Sequence, residues 1–181
     1  MIDAARPSQS FCLIRHGETT ANADGFIAGI TDVPLTALGR DQARALSELP
    51  WPEEIAVFAS PLSRAQRTAE LAFPGRDVQL HPGLRERDWG VFEGRPLGEQ
   101  PARENTPGQG ESWPDMLVRV QTAITEICAG AEGMLPVLVC HSGIIRAARM
   151  LWTTGDVGQR PPNATPLLFQ RAGNKTLEKN L

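Results

Sequence analysis

Apolar positions follow two alternating rhythms along this chain. Short unbroken apolar runs at 11–14, 55–59 and 137–140 have the length of buried strands, and 78–80 and 167–169 are briefer candidates of the same kind. Between the runs, apolar residues recur every three to four positions, as on one face of a helix. Thr36 caps a predicted helix over about 37–49, with Leu38, Ala45, Leu46 and Leu49 turned inward and Pro50 and Pro52 ending it. Ser60-Pro61 opens a second, which reaches Phe73 and stops at Pro74-Gly75. Ser112 caps a third over about 113–129, burying Met116, Val120, Ala123, Ile124 and Ile127, and a fourth runs over about 143–152. Residues 81–110 are rich in Gly, Pro, Arg and Glu without periodicity, and a loop this long in a compact domain is usually a lid or a binding loop. Residues 173–181 read as a polar tail, and no internal repeat is present.

Strands that alternate with helices argue for an α/β fold, a three-layer αβα sandwich on a mostly parallel sheet. A length of 181 residues suits one domain over 1–181, with its core at about 11–170. In such sheets ligands bind beyond the carboxyl ends of the strands. Three strand candidates deliver polar groups there: Arg15-His16, Ser60 followed by Arg64, and His141-Ser142. Two of the chain's three histidines are among them.

Composition narrows the field only a little. A net charge of -3 gives no basic footprint for nucleic acid, so any anion site must be a local cluster of arginines. No basic stretch leads into an apolar run at the start, and nothing approaches the roughly 18 continuous apolar residues of a membrane span. Cys12, Cys128 and Cys140 are an odd number, which fits free thiols and a cytoplasmic location. The histidines are far apart in sequence and no metal-ligand spacing occurs, so neither a metal nor another cofactor is expected. A small phosphorylated substrate is the expected partner, without nucleic acid or membrane; a homodimer is allowed.

The chemistry is concentrated at Arg15-His16-Gly17-Glu18-Thr19-Thr20-Ala21-Asn22. An imidazole can attack phosphorus only through an unprotonated ring nitrogen, so the other nitrogen must be held by an acceptor, commonly a backbone carbonyl. Gly17 allows a close turn and approach of phosphate to the backbone. Arg15 offers a fork of donors matched to phosphate oxygens, and Asn22 offers an amide. Taken alone, Arg-His-Gly also fits a strand followed by a polar turn.

The stretch from Leu13 to Asn22 resembles the signature of the histidine phosphatase, or phosphoglycerate mutase-like, superfamily, and further matches follow in the family's order. They are Asp32–Thr36 with Gly39 and Gln42-Ala43, Ser60–Ala65 with Thr68-Ala69, Leu84-Arg85-Glu86 with Gly90 and Glu93-Gly94, Gly110-Glu111-Ser112, and His141-Ser142-Gly143 with Ile145-Arg146. The resemblance implies a phosphoglycerate mutase-like fold and a phosphomonoester hydrolase working through phosphohistidine. His16 would be the nucleophile, and Arg15, Arg64 and His141 would surround the phosphoryl group, with Asn22 and Ser142 as further donors. Glu86 would protonate the leaving oxygen and then activate water, with Asp88 as the fallback acid. Glu18, Glu93 and Glu111 are expected to be structural and His81 an exposed bystander. Ser142 departs from the family's usual glycine after the second histidine. The short stretch from Gly94 to Gly110 favours hydrolysis over a mutase, which would use the same residues.

Two other readings compete. Cys140-His141-Ser142-Gly143-Ile144-Ile145-Arg146 fits the Cys-x2-Gly-x2-Arg loop of cysteine-dependent phosphatases, with Trp113-Pro114-Asp115 as an acid loop. That reading leaves Arg15, His16, Arg64 and Glu86 without a role and places Asp115 in a capped helix. A non-catalytic phosphate binder would share the pocket, but it would not need both histidines, both arginines and Glu86. Arg85, Arg87, Arg95 and Arg103 are either solvated loop residues or contacts to a second anionic group.

Overall fold

In the computed structural model, which describes residues 6–173 and 175–181, the apolar runs form one six-stranded sheet. The strands are β1 (Phe11–Arg15), β2 (Ile55–Ala59), β3 (Val78–Leu80), β4 (Leu135–Cys140), β5 (Pro166–Ala172) and β6 (Lys175–Asn180). Their order is β3-β2-β4-β1-β5-β6; the first four are parallel, and β5 runs antiparallel to both β1 and β6.

The central strands are apolar throughout because both of their faces are covered. Phe11, Leu13, Ala56, Phe58, Leu138 and Cys140 point to one side, where they pack against α4 (Trp113–Gly130) and α5 (Ser142–Trp152). Cys12, Ile14, Val57, Ala59, Val137 and Val139 point to the other, toward α3 (Ser63–Ala72) and the end of α2 (Ala37–Ala45). This alternation makes the three layers. A short helix, α1 (Thr20–Asp24), follows β1 directly and has no apolar period to announce it.

Several boundaries differ from expectation for identifiable reasons. The residues expected as a polar tail form β6, whose backbone pairs with β5 over six positions from Leu167↔Asn180 to Ala172↔Lys175. An edge strand open on one side needs little apolar content, so composition hid it. In α2, Leu38 is 54% exposed and Ala45 is exposed; the buried face is Gly39, Ala43 and Leu46, the last in a 3-10 turn that finishes the helix. The second predicted helix begins at Ser63, three residues after Ser60, because Ser60 still pairs with the sheet through its N–H to Val139 O. The caps at Thr36 and Ser112 form as expected, each side chain accepting from the backbone N–H three residues on. The five residues expected on the inner face of α4 are all buried.

The sheet order places the ends of β1, β4 and β2 side by side, with β4 central. Register aligns Arg15 with Cys140, and His16 N donates to Cys140 O at 3.0 Å. Arg15-His16, Ser60 and His141 therefore emerge together at one edge.

Gly17 has a role beyond the one expected. Its backbone lies directly against Gly39 on α2: a Cβ at Gly17 would fall 2.2 Å from Gly39 O, and one at Gly39 would fall 2.0 Å from Glu18 O. This crossing seats the loop after β1 on α2, assisted by Thr36 Oγ1 donating to Glu18 Oε1 at 2.8 Å. Gly39→Ala must push two backbone segments apart. Chemical denaturation should register a loss of about 1–3 kcal/mol, the range for overpacking, whereas Leu38→Ala on the exposed side of the same helix should stay within about 0.5 kcal/mol.

Candidate active site

His16 sits at the mouth of the β1–β4 seam, buried to 4% exposure. Its Nδ1 lies 2.7 Å from Gly17 O. A carbonyl can only accept, so Nδ1 carries the proton and Nε2 is left with a free lone pair. Gly17 is itself held by Thr68 of α3, whose Oγ1 accepts from Gly17 N at 3.0 Å and donates to Arg64 O at 2.7 Å. Asn163 reaches the same turn and donates through Nδ2 to His16 O. The ring is thus oriented by backbone that two other elements fix.

Burial, with Arg64 and Arg15 nearby, holds His16 well below the ordinary histidine range, and the Gly17 bond only partly opposes this. His141 is shifted the same way by burial, Arg64, His16 and Arg15. Its ring centroid is 5.2 Å from that of His16. His141 Nε2 pairs with Ser60 Oγ at 2.8 Å, while Nδ1 is buried without a partner. Ser60, at the end of β2, is thereby a positioning residue for the second histidine.

The arginines are fastened by carbonyls. Arg64, 1% exposed, donates to Thr31 O, Ala28 O and Gly29 O at 2.9, 3.2 and 2.6 Å. These carbonyls belong to a loop whose N–H groups converge on one carboxylate. Glu93 accepts from Gly29 N, Ile30 N and Thr31 N, from Thr31 Oγ1, and from Trp89 N. Arg15 donates through Nη1 to Pro161 O at 2.9 Å; burial and nearby Arg160 lower it to about 10. Arg87, 1% exposed, donates to the carbonyls of Glu111, Arg103 and Asn105 and lies 4.5 Å over the Trp89 ring.

Glu86 comes from the long loop expected to carry a functional group. Oε1 accepts from Arg87 N at 2.8 Å and Oε2 from Gly143 N at 2.9 Å, at the start of α5. Gly143 is required for this approach, since a Cβ there would fall 2.0 Å from Glu86 Oε1. Asp88 instead accepts from Gly90 N and lies outside the pocket, so it is the turn residue and not the facing carboxylate.

Arg15, His16, Asn22, Arg64, Glu86 and Ser142 all line one cavity of about 60 Å³, room for roughly four or five water-sized groups. His141 is the exception among the predicted site residues: it is fully buried beside His16 and does not line the cavity. Asn22 spends its side-chain oxygen on Thr19 N and Asn163 Nδ2, leaving its own Nδ2 for the cavity. Sequence reasoning missed Asn163 and Arg160, which reach the site from the irregular stretch after α5, and it named Thr68 of α3 within a motif without its role of holding Gly17.

Other expectations are settled by geometry. Glu18, Glu93 and Glu111 are structural, the last paired with Arg119 through two bonds of 2.7 and 2.6 Å. His81 is half-buried and not exposed, with Nδ1 accepting from Gly83 N, and it stands outside the cavity as expected of a bystander. Among the four loop arginines, Arg85 and Arg95 are exposed outside the cavity and Arg87 is a structural strap. Cys140 lies inside β4 at 0% exposure, pointing into the apolar layer under α4 and α5. Burial, and then Glu86, push its thiol well above the ordinary cysteine range, so it cannot supply a thiolate nucleophile. Asp115 is tied into the Ser112 cap. Among the described residues no group of three His, Cys, Asp or Glu stands together as a metal site, and no helix is long and apolar enough to cross a membrane.

The sequence profile of the histidine phosphatase superfamily (branch 1) matches residues 11–165. The chain belongs to this superfamily. Within it, the chain is 39% identical over 145 residues to an Enterobacter sp. (strain 638) protein named "Probable phosphoglycerate mutase GpmB", covering 71% of this chain and 67% of that one. It is 31% identical over 173 residues to the metal-independent phosphoserine phosphatase of Arabidopsis thaliana, covering 84% and 72%. The solved phosphoglycerate mutase of Thermus thermophilus superposes with a TM-score of 0.75 at 33% identity, covering 95% of this chain and 98% of that one. Superfamily membership and fold are thus established together, while the relatives' names divide between mutase and phosphatase.

The lowered histidines have a consequence for stability. The unfolded chain takes up protons on these rings below pH about 6.5, but the folded chain does not, so stability falls as pH drops from there toward the folded values. In phosphate-free buffer the loss should approach about 1.4 kcal/mol per pH unit for each ring. Urea midpoints between pH 7 and 5.5 check this: the decline should shrink in His16→Gln/His141→Gln. An equal decline in that variant would assign it to other groups.

Proposed function

We propose that this superfamily member hydrolyses a small phosphomonoester through a phosphohistidine intermediate on His16. The observation that carries this reading is the bond from His16 Nδ1 to Gly17 O, which leaves Nε2 unprotonated in a cavity lined by Arg15 and Arg64.

In the first step Nε2 attacks phosphorus as the ester P–O bond breaks, and Glu86 gives its proton to the leaving oxygen. In the second, Glu86 takes a proton from water, whose oxygen forms the new P–O bond while the P–N bond breaks and returns the lone pair to Nε2. Arg15 and Arg64 neutralise the equatorial oxygens, which carry the charge in the transition state. With the Ser60 hydroxyl donating to Nε2, His141 stays neutral and carries its proton on Nδ1, buried behind His16. Asn22 and Ser142 add donors at the rim. Because the arginines already hang on carbonyls, little reorganisation is needed when phosphate arrives.

Hydrolysis is favoured over mutase action by the short stretch between Gly94 and Gly110. It is a 3-10 turn and a loop strapped down by Arg87, with no insertion to enclose a bisphosphorylated intermediate. A relative at 39% identity named a probable phosphoglycerate mutase supports the second reading, and product analysis separates the two: release of inorganic phosphate to water supports hydrolysis, and transfer to a second hydroxyl of the substrate supports a mutase.

Two sets of variants test the assignment. His16→Ala should abolish turnover while Cys140→Ser keeps most of it; the reverse would transfer the nucleophile to the thiol. Glu86→Gln should slow an alkyl phosphate by about 10²–10⁴-fold, yet slow p-nitrophenyl phosphate far less, since that leaving group needs little protonation. Equal slowing of both substrates would remove Glu86 as the acid.

A further inference from the structure

Most inward-facing arginines in this protein have an acceptor: Arg15 donates to a carbonyl through Nη1, although its Nε is buried without a partner, Arg64 and Arg87 donate to carbonyls, and Arg119 and Arg149 pair with Glu111 and Glu178. Three have none. Arg103, Arg146 and Arg160 line the same cavity as His16, and among the described residues none of their guanidiniums donates a hydrogen bond or joins an ion pair. They arrive from three separate segments: the loop before α4, the second turn of α5 and the stretch before β5.

We propose that Arg103, Arg146 and Arg160 form a second anion subsite at the cavity mouth, which takes a carboxylate or second phosphate carried a few bonds from the phosphoryl group presented to His16. This rests on the phosphomonoester reading above and narrows it to substrates with two anionic groups.

Three features support the subsite. Arg146 Nε is buried without an acceptor, a costly state for a charged donor unless a ligand completes it. The positions are also built. Arg103 has its carbonyl held by Arg87 Nη1 at 2.9 Å and its guanidinium 4.7 Å over the Trp113 ring. Arg160 precedes Pro161, whose carbonyl receives Arg15 Nη1, so the loop bearing Arg160 is tied to the phosphate clamp itself. Finally, the three cations repel one another. Burial comes first, then Arg103 and Arg160, in lowering Arg146 to about 10, with Glu86 opposing. An anion placed among them relieves that repulsion, and guanidinium forks match carboxylate and phosphate alike. All three share one cavity with His16, Arg15 and Arg64, so a substrate that presents its phosphoryl group there lies beside them.

The test compares kcat/KM for three esters of equal length: propyl phosphate, 3-phosphonooxypropanoate and propane-1,3-diol bisphosphate. p-Nitrophenyl phosphate reports the chemistry itself. One or both anionic-tailed esters should exceed propyl phosphate by about 10- to 100-fold, the scale of a charge-assisted contact, and the preferred tail identifies the group. Arg146→Gln and Arg160→Gln should each shrink that ratio about tenfold; Arg160 is exposed, so its variant tests the subsite without disturbing the core. A wild-type ratio near one, a ratio untouched in both variants, or no turnover of any of the three esters alongside active p-nitrophenyl phosphate overturns the subsite and leaves the phosphatase reading standing. No turnover of any phosphomonoester, with no phosphoryl group on His16, overturns that reading first and the subsite with it.

Discussion

The site depends on one hydrogen bond, from His16 Nδ1 to the carbonyl of Gly17. It fixes which ring nitrogen is free, and its geometry is inherited from the backbone and not from a second side chain. That backbone is held from several sides: Cys140 O accepts from His16 N, Thr68 accepts from Gly17 N, Asn163 donates to His16 O, and Gly39 lies flat against Gly17. Each contact comes from a different element, so the tautomer of one imidazole is specified by β4, α2, α3 and the stretch before β5 together. Burial and two neighbouring guanidiniums then keep the ring neutral. A buried imidazole beside cations has little tendency to take a proton, and that is the state a nucleophile requires.

A second constraint concerns how the cations are kept in place without being neutralised. A carboxylate partner would hold an arginine firmly but would cancel the charge that phosphate needs. Backbone carbonyls hold it and leave the charge. Arg15, Arg64 and Arg87 all follow this plan, and Glu93 shows its next layer: the carboxylate sits on the N–H side of the loop whose carbonyls bind Arg64. Negative charge thus acts on Arg64 through one layer of peptide groups. Where carboxylates do pair with arginine directly, as in Glu111 with Arg119, the pair lies outside the cavity and braces the loop through Gly83 O and Arg85 O.

Much of this was legible in the sequence. The sheet could be read because its central strands are short apolar runs covered on both faces, and each of three ends in a polar residue. His16, Arg15, Arg64 and Glu86 were found through the order of short motifs, and the structure brings them to one cavity. The parts that escaped share a physical cause. β6 is an edge strand whose stability comes from pairing with β5, so its composition is that of a tail. Arg160 and Asn163 act through where an irregular segment happens to return, which no periodicity encodes. The steric reason for Gly17 escaped because its close neighbour, Gly39, is distant in sequence. His141 was expected to face the phosphoryl group openly, but it stands buried behind His16 with one nitrogen on Ser60.

The central claim, a neutral His16 protonated on Nδ1, is most directly tested by nitrogen NMR of protein labelled with 15N-histidine, assigned by comparison with His16→Gln. Near pH 6.5, where an ordinary histidine is half protonated, His16 should show a protonated Nδ1 and an unprotonated Nε2, unchanged as the pH is lowered by a unit. A ring that titrates near 6.5, or one that carries its proton on Nε2, would contradict the account.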